Sequence, residues 1–431
     1  MLLIYTHKIT PRVTYTMKQI FTTMLGIEIG FTTKVEDFIK HGDEKITYTK
    51  QPLQNEFFIR SHGLLFEQGI HDVEIQVKSW DNVPCFFSTG ERSNLPFDVF
   101  AATFYLISRY EEYLPHVKDA HGRFSYRDSL AYKHKFLERP VVDIWAMKLF
   151  LILKQRFPSL KQGPRKYEYL SLIDVTTSHC YANRGVIRGL AGFLLDLGTF
   201  KFKRLVERVA VSLNIKKDPY DNFETLIEWH RELKVKSIFF FQFANYSKYD
   251  KNVSTNSNKF RALIKHVGDY SKVALAASYS SFNDLDLLRN EKNNLEHVVN
   301  RPVNYSRMRY NRVDIPDTYR NLIAAEFTDD YTMGYSHKIG FRAGTCTPFQ
   351  FYDIPLEVKQ PIKVYPFVLH DYALLDLKKK AEIEKRMDVV YQEIKLVKGM
   401  FISVFSNELL GSNDKYNWKE IYKYIIAKYN V

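Results

Sequence analysis

The chain has 431 residues, carries a net charge of +13 and is 45% hydrophobic. This length suits two or three domains, and this apolar fraction excludes a mostly disordered chain. The short initial apolar run and the lack of any apolar segment of bilayer length predict neither a signal peptide nor a membrane span. Three dispersed cysteines without a CxxC pair argue against a disulfide framework. We therefore expect a cytoplasmic protein.

The first part of the chain predicts a mixed α/β domain over residues 1–160. Strands are expected at 2–10, 27–32 and 45–50, and helices at 12–25, from about 95 to 115, and at 141–156. Pro96 suits the first turn of the second helix. Pro, Gly and basic residues cluster at 158–166 and predict a domain boundary there.

From residue 166 to 431, short apolar runs alternate with helical patterns. The runs cover residues 169–175, 237–244, 272–277, 303–310, 362–369 and 400–405. Nearly continuous apolar runs are typical of strands buried on both faces of a parallel sheet. Their alternation with helices predicts βαβ units, which would suit a (β/α) barrel. In such a barrel the chemistry lies at the C-terminal ends of the strands.

The segment 186–211, within an insertion expected near 186–217, combines apolar and basic residues. It fits either an amphipathic hairpin on a membrane surface or a helical insertion packed on the mouth of the barrel, and we favour the insertion. The net charge would also permit nucleic-acid binding. Because Lys and Arg are spread along the chain and no nucleic-acid motif is present, we expect a solvated basic surface and no nucleic-acid partner.

Polar residues follow several of the predicted strands, where the site of such a barrel would lie. The expected pocket residues are Asp174, Thr176, Ala276, Ser278, Tyr279, Arg307, Arg309, Tyr310, Thr345, His370, Asp371, Ser406, Asn407 and Glu408. A block from residue 340 to 349 contains Arg342 and Cys346. No nucleophile elbow, P-loop or dinucleotide fingerprint is present.

These motifs, in this order, resemble those of the polysaccharide deacetylases, and most closely a bacterial subgroup with an extra N-terminal α/β domain. The matching blocks are residues 95–114, 121–124, 129–132, 142–143, 218–221, 239–241, 249–252, 316–320, 330–335 and 340–349. The resemblance implies an α/β protein in which a distorted (β/α) barrel follows a smaller mixed α/β domain. It also implies removal of acetyl groups from N-acetylated sugars. A divalent metal held by one Asp and two His would polarise the amide, a second Asp would act as base, and a His would protonate the leaving amine.

Carried over position by position, the resemblance is incomplete at the metal. Asp174 keeps the position of the base, and Arg342 that of the arginine that orients it. Thr176, Ala276 and Arg309 stand where the three metal ligands are expected, and Ser406 replaces the acid His. Alanine has no donor atom, and arginine does not lose its proton in proteins. We therefore expect no metal and a vestigial base at Asp174, paired with Arg309 or Arg342.

Two functions remain open. The first is a non-catalytic protein of envelope-polysaccharide metabolism that binds a glycan, a glycan intermediate or a protein partner. The alternative is an active N-deacetylase that uses a relocated metal or a mechanism based on Asp174. Candidates for another metal site are His179, Asp329, Asp330, His337, His370 and Asp371, but none shows tight ligand spacing. Cys346 is a weak candidate for a nucleophile.

Overall fold

The computed structural model describes residues 1–183, 186–377, 379–412 and 416–431, in which the segment 157–167 joins a four-stranded parallel sheet to a nine-stranded, mainly parallel one. The N-terminal elements are β1 (Leu2–Thr6), α1 (Pro11–Met17, continued by a π-helical segment, Lys18–Met24), β2 (Ile29–Thr32), α2 (Val35–Lys40), β3 (Lys45–Thr49), β4 (Phe57–Arg60), β5 (Lys78–Trp80), β6 (Val83–Cys85), α3 (Val99–Ile107), α4 (Tyr110–Tyr113), α5 (Leu130–Lys133) and α6 (Val141–Arg156).

The C-terminal elements follow the segment 157–167. They are β7 (Glu168–Val175), α7 (Val186–Gly198), α8 (Phe202–Ser212), α9 (Phe223–Glu232), β8 (Lys236–Phe241), α10 (Asn258–Tyr270), β9 (Lys272–Ala277), α11 (Leu285–Val299), β10 (Tyr305–Met308), α12 (Asp317–Ala324), β11 (Asp329–Asp330), β12 (Phe349–Asp353), β13 (Val358–Val364), β14 (Leu369–His370), α13 (Lys380–Leu396), β15 (Met400–Ser406), α14 (Asn407–Leu410) and α15 (Trp418–Tyr429).

In the N-terminal part, four parallel strands run in the order β2-β1-β3-β4, and Tyr48 of β3 contacts Phe100 of α3, whose nine residues are all buried. Two predicted boundaries are corrected here. The strand expected at 2–10 ends at Thr6, because the Thr10 side chain caps α1. The helix expected from residue 95 begins only at Val99, since Asp98 accepts hydrogen bonds from two amides of its first turn. A left-handed residue, Arg109, separates α3 from α4.

The C-terminal sheet has the order β12-β13-β11-β10-β9-β8-β7-β15-β14, and only β12 runs antiparallel to its neighbour. The run predicted as one strand at 362–369 is split between β13 and β14, seven strand positions apart. A flat sheet would separate them by roughly 34 Å, whereas residues 365–368 can span only roughly 18 Å. The sheet therefore curves strongly.

No hydrogen-bonded ladder closes this sheet in the described ranges, so the closed barrel that the resemblance implies is not observed. Residues 365–368 bridge the gap instead, because the amides of Tyr365 and Phe367 donate to Asp330 and Met333 and that of Val368 donates to Ile402. The concave face holds its own apolar cluster, formed by Leu172, Ile238, Phe240, Ala274, Ala276, Tyr331, Phe367, Ile402 and Val404. Helices α10 to α13 contact strands β9, β13 and β15.

The expected insertion is helical: α7 and α8 form an antiparallel pair between β7 and α9. Its packing differs from the expectation, because most of the large apolar side chains of 189–215 face solvent rather than the sheet. The side chains of 186–188 lie outside the described part. Among the helices that the structure describes, none is long and apolar enough to cross a bilayer.

Candidate functional site

A buried ion pair lies at the C-terminal end of the concave face. The Nε atom of Arg307 donates to both carboxylate oxygens of Asp174, at 2.9 and 3.0 Å. Its two terminal nitrogens donate to the Tyr331 carbonyl at 2.7 Å and to Asn311 Oδ1 at 2.6 Å. The guanidinium also lies 4.7 Å above the centre of the Phe367 ring. Arg307 is 2% exposed, so four contacts hold this cation in one geometry.

Strand register explains how the two residues meet. Asp174 is the last residue but one of β7 and Arg307 lies in β10, with β8 and β9 between them. In the parallel ladder Arg307 pairs with Ala276 of β9, so both side chains lie on the concave face. Because Ala276 contributes only a methyl group, the long arginine side chain can cross the sheet above it and reach Asp174.

Beside this pair is a second acid–base group, formed by His370 at the end of β14 and Asp371 directly after it. His370 Nδ1 lies 2.7 Å from Asp371 Oδ1, and its Nε2 lies 3.9 Å from Asp174 Oδ2. Asp371 Oδ2 accepts hydrogen bonds from the amide and hydroxyl of Ser406. Burial disfavours the charged carboxylate, but the positive charge of His370 and these hydrogen bonds together hold the pKa of Asp371 below its usual range.

The side chain of Thr176 donates a hydrogen bond to Glu408, which follows β15. The ring of Tyr372 stacks on His370 with centroids 5.0 Å apart. Burial, followed by the negative charge of Asp371 and Glu408, raises the pKa of Tyr372, so its hydroxyl keeps its proton and can donate. Ion pairs, donors and acceptors thus converge on one end of the sheet, a composition that suits polar ligands.

An aromatic cluster, which we call the aromatic wall, lies at the ends of β9 and β10. Its members are Tyr249, Tyr279, Tyr310 and His121. The rings of Tyr249 and Tyr279 are 4.2 Å apart, and the Tyr310 ring stands nearly perpendicular to both. His121, from the N-terminal part, lies 4.7 Å from Tyr310. Both parts of the chain therefore build this wall.

Two arginines support the aromatic wall. Arg309 donates to the Tyr249 carbonyl at 3.1 Å and lies over the Tyr310 ring at 5.0 Å. Arg312 lies 4.1 Å above the Tyr279 ring and donates to the carbonyls of Tyr279 and His121. The buried carboxylate of Asp250 lies 3.9 Å from Arg309 and accepts the Tyr279 amide. These contacts fix the orientation of the rings.

The contacts of the arginines correct the expected ion pair of Asp174 with Arg309 or Arg342. Arg342, predicted to orient Asp174, instead donates to both oxygens of Glu112 at 2.8 and 2.6 Å. Arg109 donates to the same carboxylate at 2.7 Å. Arg309, the other predicted partner, is directed to the aromatic wall. Arg307 takes the role, because its strand register places it across the concave face from Asp174.

Several expected pocket residues serve local structure. Ser278 donates its amide to Glu291, and Thr345 donates its hydroxyl to Asp143 at 2.7 Å. The Asn407 side chain donates to the carbonyls of residues 177 and 220, and thereby ties β7 to the start of α9. These three are buried. They position the strand ends rather than line an opening.

The residues at the expected metal positions do not fit a divalent cation. Thr176 offers a hydroxyl that is bonded to Glu408, Ala276 offers a methyl group, and Arg309 carries a positive charge. The nearby Asp174 already accepts a guanidinium. In the described ranges, no group of three or more His, Cys, Asp or Glu side chains has a geometry that could hold a metal ion.

Other predicted candidates lie apart from Asp174. Asp330 is buried and accepts the amide and hydroxyl of Thr332, and burial raises its pKa to about 6. Cys346 is also buried, and burial raises the pKa of its thiol well above the usual range, which opposes nucleophilic chemistry. His337 stacks near Tyr372 at 5.9 Å and so lies beside the His370 pair.

Sequence reasoning did not single out several residues that the fold brings to this site. Asn311 and Tyr372 lie just after the predicted motifs, while Tyr249, Asp250 and His121 lie within blocks that matched the resemblance without an assigned role. The aromatic content of those blocks was the available signal. Only the fold places them beside the strand ends.

Comparisons with known proteins give one family model and several solved structures of low sequence identity. A model of a family of unknown function, DUF7033, matches residues 2–158. No curated protein sequence matches. Among solved structures, a candidate polysaccharide deacetylase from Mycobacterium smegmatis matches with 13% identity and a TM-score of 0.40, over 62% of this chain and 87% of that one.

Two further structures share this likeness. The polysaccharide deacetylase Bc1974 from Bacillus cereus matches with 9% identity and a TM-score of 0.29, over 61% of this chain and 85% of its own. BA3943, a CE4 family pseudoenzyme from Bacillus anthracis, also matches with 9% identity and a TM-score of 0.29, over 61% of this chain and 63% of its own. The chain is thus similar in structure to deacetylase-type proteins, at identities and TM-scores that say nothing about its site or activity.

Proposed function

We propose that this protein is a polysaccharide-deacetylase-like protein that binds a glycan, or a glycan intermediate, without the divalent metal of that chemistry. The observation that carries the proposal is the hydrogen bond of Arg307 Nε, which is shared between both carboxylate oxygens of Asp174. A guanidinium there neutralises the carboxylate that would otherwise face a cation, and it repels a second positive charge.

The aromatic wall supports a sugar as the ligand. Sugar rings present apolar C–H faces that pack on aromatic side chains, while their hydroxyls require paired donors and acceptors. Tyr249, Tyr279 and Tyr310 are half-buried and so keep part of their surface open to solvent. Tyr372, Asp174 and Glu408 supply polar groups nearby. The same composition would also suit an envelope-polysaccharide intermediate.

Metal content provides the first test. The native protein and a Thr176→Asp/Ala276→His/Arg307→Gln/Arg309→His variant are incubated with zinc, cobalt and nickel, and bound metal is measured by elemental analysis. We expect a metal-free native protein and a variant that gains about one ion. The matched control is Thr176→Asp/Ala276→His/Arg309→His, which keeps the Arg307 cation on Asp174 and should bind little metal. A stoichiometric ion in the native protein would contradict the proposal.

Sugar binding provides the second test. Titration of native protein with N-acetylchitotetraose, followed by calorimetry, should give saturable binding that Tyr279→Ala weakens about tenfold. Tyr270→Ala is the control, because Tyr270 is exposed at the end of α10, outside the aromatic wall. Equal loss in both variants, or no binding by any of several N-acetylated oligosaccharides, would count against a glycan site.

A second function is favoured by one observation, the sequence of contacts from Asp371 through His370 to Asp174. A histidine oriented by one carboxylate and close to another is an arrangement that can transfer protons. This geometry suits a metal-free hydrolase acting on the amide of an N-acetylated sugar. The test is release of acetate from N-acetylchitotetraose. Release that is lost in Asp174→Asn and kept in Asp329→Asn would establish hydrolysis rather than binding alone.

A further inference from the structure

The helical pair formed by α7 and α8, which we call the hairpin, exposes apolar stripes instead of burying them. The side chains of Phe202, Val206 and Val209 in α8 and of Leu213 at its C-cap are exposed, at intervals of four, three and four residues. Such spacing places them along one face of the helix. Leu190, Leu194 and Leu197 of α7 repeat the pattern and are also exposed. A face of this kind normally packs on a core.

The tip of the hairpin carries both bulky and basic residues. Phe200 is 78% exposed, and its ring lies 6.2 Å from that of Phe202. Lys201, Lys203 and Arg204 are exposed beside them. Within the described ranges, no carboxylate lies within 4 Å of these three cations. The apolar tip is therefore ringed by positive charge.

The acidic residues of the hairpin are used internally. Asp196 accepts two hydrogen bonds from Arg208, at 3.0 and 2.7 Å, and this pair lies between the two helices. Glu207 pairs with Lys216 near the base. Since both carboxylates are neutralised by partners in the hairpin, the exposed surface of residues 189–217 is basic and apolar.

The base of the hairpin is anchored firmly to the fold. The Asp218 carboxylate accepts the amides of Cys180, Tyr181 and Ala182 at 2.8 Å and that of Tyr220 at 3.0 Å. It thus joins the segment that enters the hairpin to the one that leaves it. This fixed base presents the apolar stripes outward, next to the end of β7 that carries Asp174.

We propose that the hairpin docks the protein on an anionic lipid surface, with the apolar stripes entering the interface and the tip cations contacting lipid headgroups. Amphipathic helices with apolar and Lys/Arg-rich faces bind such surfaces in the plane of the membrane. A second copy of the chain is the less suitable occupant, because contact through two identical hairpins would bring their tip cations together. This inference does not depend on the ligand of the Asp174 site.

The test is co-sedimentation of the full-length protein with vesicles of phosphatidylcholine, with and without phosphatidylglycerol. We expect binding to the anionic vesicles, little binding to the neutral ones, and loss of binding at high salt. Phe200→Ser/Phe202→Ser and, separately, Lys201→Glu/Lys203→Glu should each weaken binding at least ~tenfold. Leu356→Ser/Leu396→Ser is the matched control, since both leucines are exposed outside the hairpin, and it should bind like the native protein.

Thermal unfolding checks that each variant keeps the native fold, and sedimentation velocity of the native protein and the phenylalanine variant reports self-association. Absence of vesicle binding by the native protein would overturn the proposal. The proposal would also be overturned if the control variant weakened vesicle binding as much as the hairpin variants do. A native dimer that becomes monomeric in Phe200→Ser/Phe202→Ser, without vesicle binding, would assign the hairpin to a second copy instead.

Discussion

The buried network around Glu112 offers the sharpest prediction for stability. Its carboxylate accepts two hydrogen bonds from Arg342 and one from Arg109, and all three side chains are at most 3% exposed. We consider the variant Glu112→Gln, which keeps the size of the side chain and removes its charge. Arg109 would keep Glu111 as a partner, whereas the buried guanidinium of Arg342 would lose the carboxylate to which it donates.

The structure indicates the size of the effect. Burial disfavours the charged carboxylate, but the charges of Arg342 and Arg109 outweigh it and lower the pKa of Glu112 to about 2, from a usual 4.5. A difference of this size corresponds to about 3 kcal/mol. Removing one partner of a buried ion pair costs about 3–5 kcal/mol. We therefore expect Glu112→Gln to lose ~3 kcal/mol of unfolding free energy at pH 7.

The pH dependence has a definite sign. Because the folded-state pKa of Glu112 is lowered, its stabilising contribution is fully present above about pH 4.5 and is lost as the pH falls toward 2. Urea unfolding at a series of pH values, followed by circular dichroism, measures this loss. The native protein should destabilise across that window more steeply than Glu112→Gln.

Asp314→Asn serves as the matched control. Asp314 pairs with Lys118 at 2.8 Å, and this pair also joins the N-terminal and C-terminal parts, but both side chains are about 40% exposed. Exposed pairs contribute about 0–1 kcal/mol, so this variant should change little. A loss below about 1 kcal/mol for Glu112→Gln, or equal losses for both variants, would refute the reasoning.

Three further outcomes follow from buried or crowded positions. Burial raises the pKa of Glu291 to about 7, so the stability of the protein should fall as the pH rises from about 4.5 to 7. Thermal unfolding measured across that range should show this fall in the native protein and a weaker pH dependence in Glu291→Gln. Gly340→Ala should lower the unfolding free energy by ~2 kcal/mol or more in a urea titration, because φ is +150° and the added Cβ would lie 2.7 Å from the Leu137 carbonyl oxygen. Gly42→Ala is the control: its Cβ would meet nothing within 4 Å, so the same titration should show little change. Asp218→Asn should weaken the hydrogen bonds that hold the base of the hairpin, because the Asp218 carboxylate accepts the amides of residues 180 and 181. Limited proteolysis should then cleave residues 180–220 faster than in the native protein.

Several features of the fold could be predicted from local pattern alone. The strands at 169–175, 272–277 and 400–405 were expected nearly at their observed bounds, because nearly continuous apolar runs of that length form buried parallel strands. The helical insertion was likewise expected from composition. Asp174, Arg307 and His370 lie close together, since the parallel strands that carry them end at one edge of the sheet.

Curvature and connectivity could not be predicted in the same way. Residues 362–369 form one apolar run, yet they contribute to two strands near opposite edges of the sheet. Pro366, in the middle of this run, has no amide to donate and is a local sign of an interruption, but it does not specify which strand the chain joins next. The exposure of the hairpin stripes was also undecided, because an amphipathic pattern specifies an apolar face without specifying what covers it.

The sequence by itself determined which residue types stand at the strand ends: a carboxylate at Asp174, neutral or cationic side chains at the expected metal positions, and several arginines. Only the tertiary structure decided that Arg307, and not Arg309 or Arg342, pairs with Asp174. The physical reason is the length and position of each arginine side chain. Strand register and small neighbouring side chains decide which carboxylate an arginine can contact, and the assembled sheet sets that register.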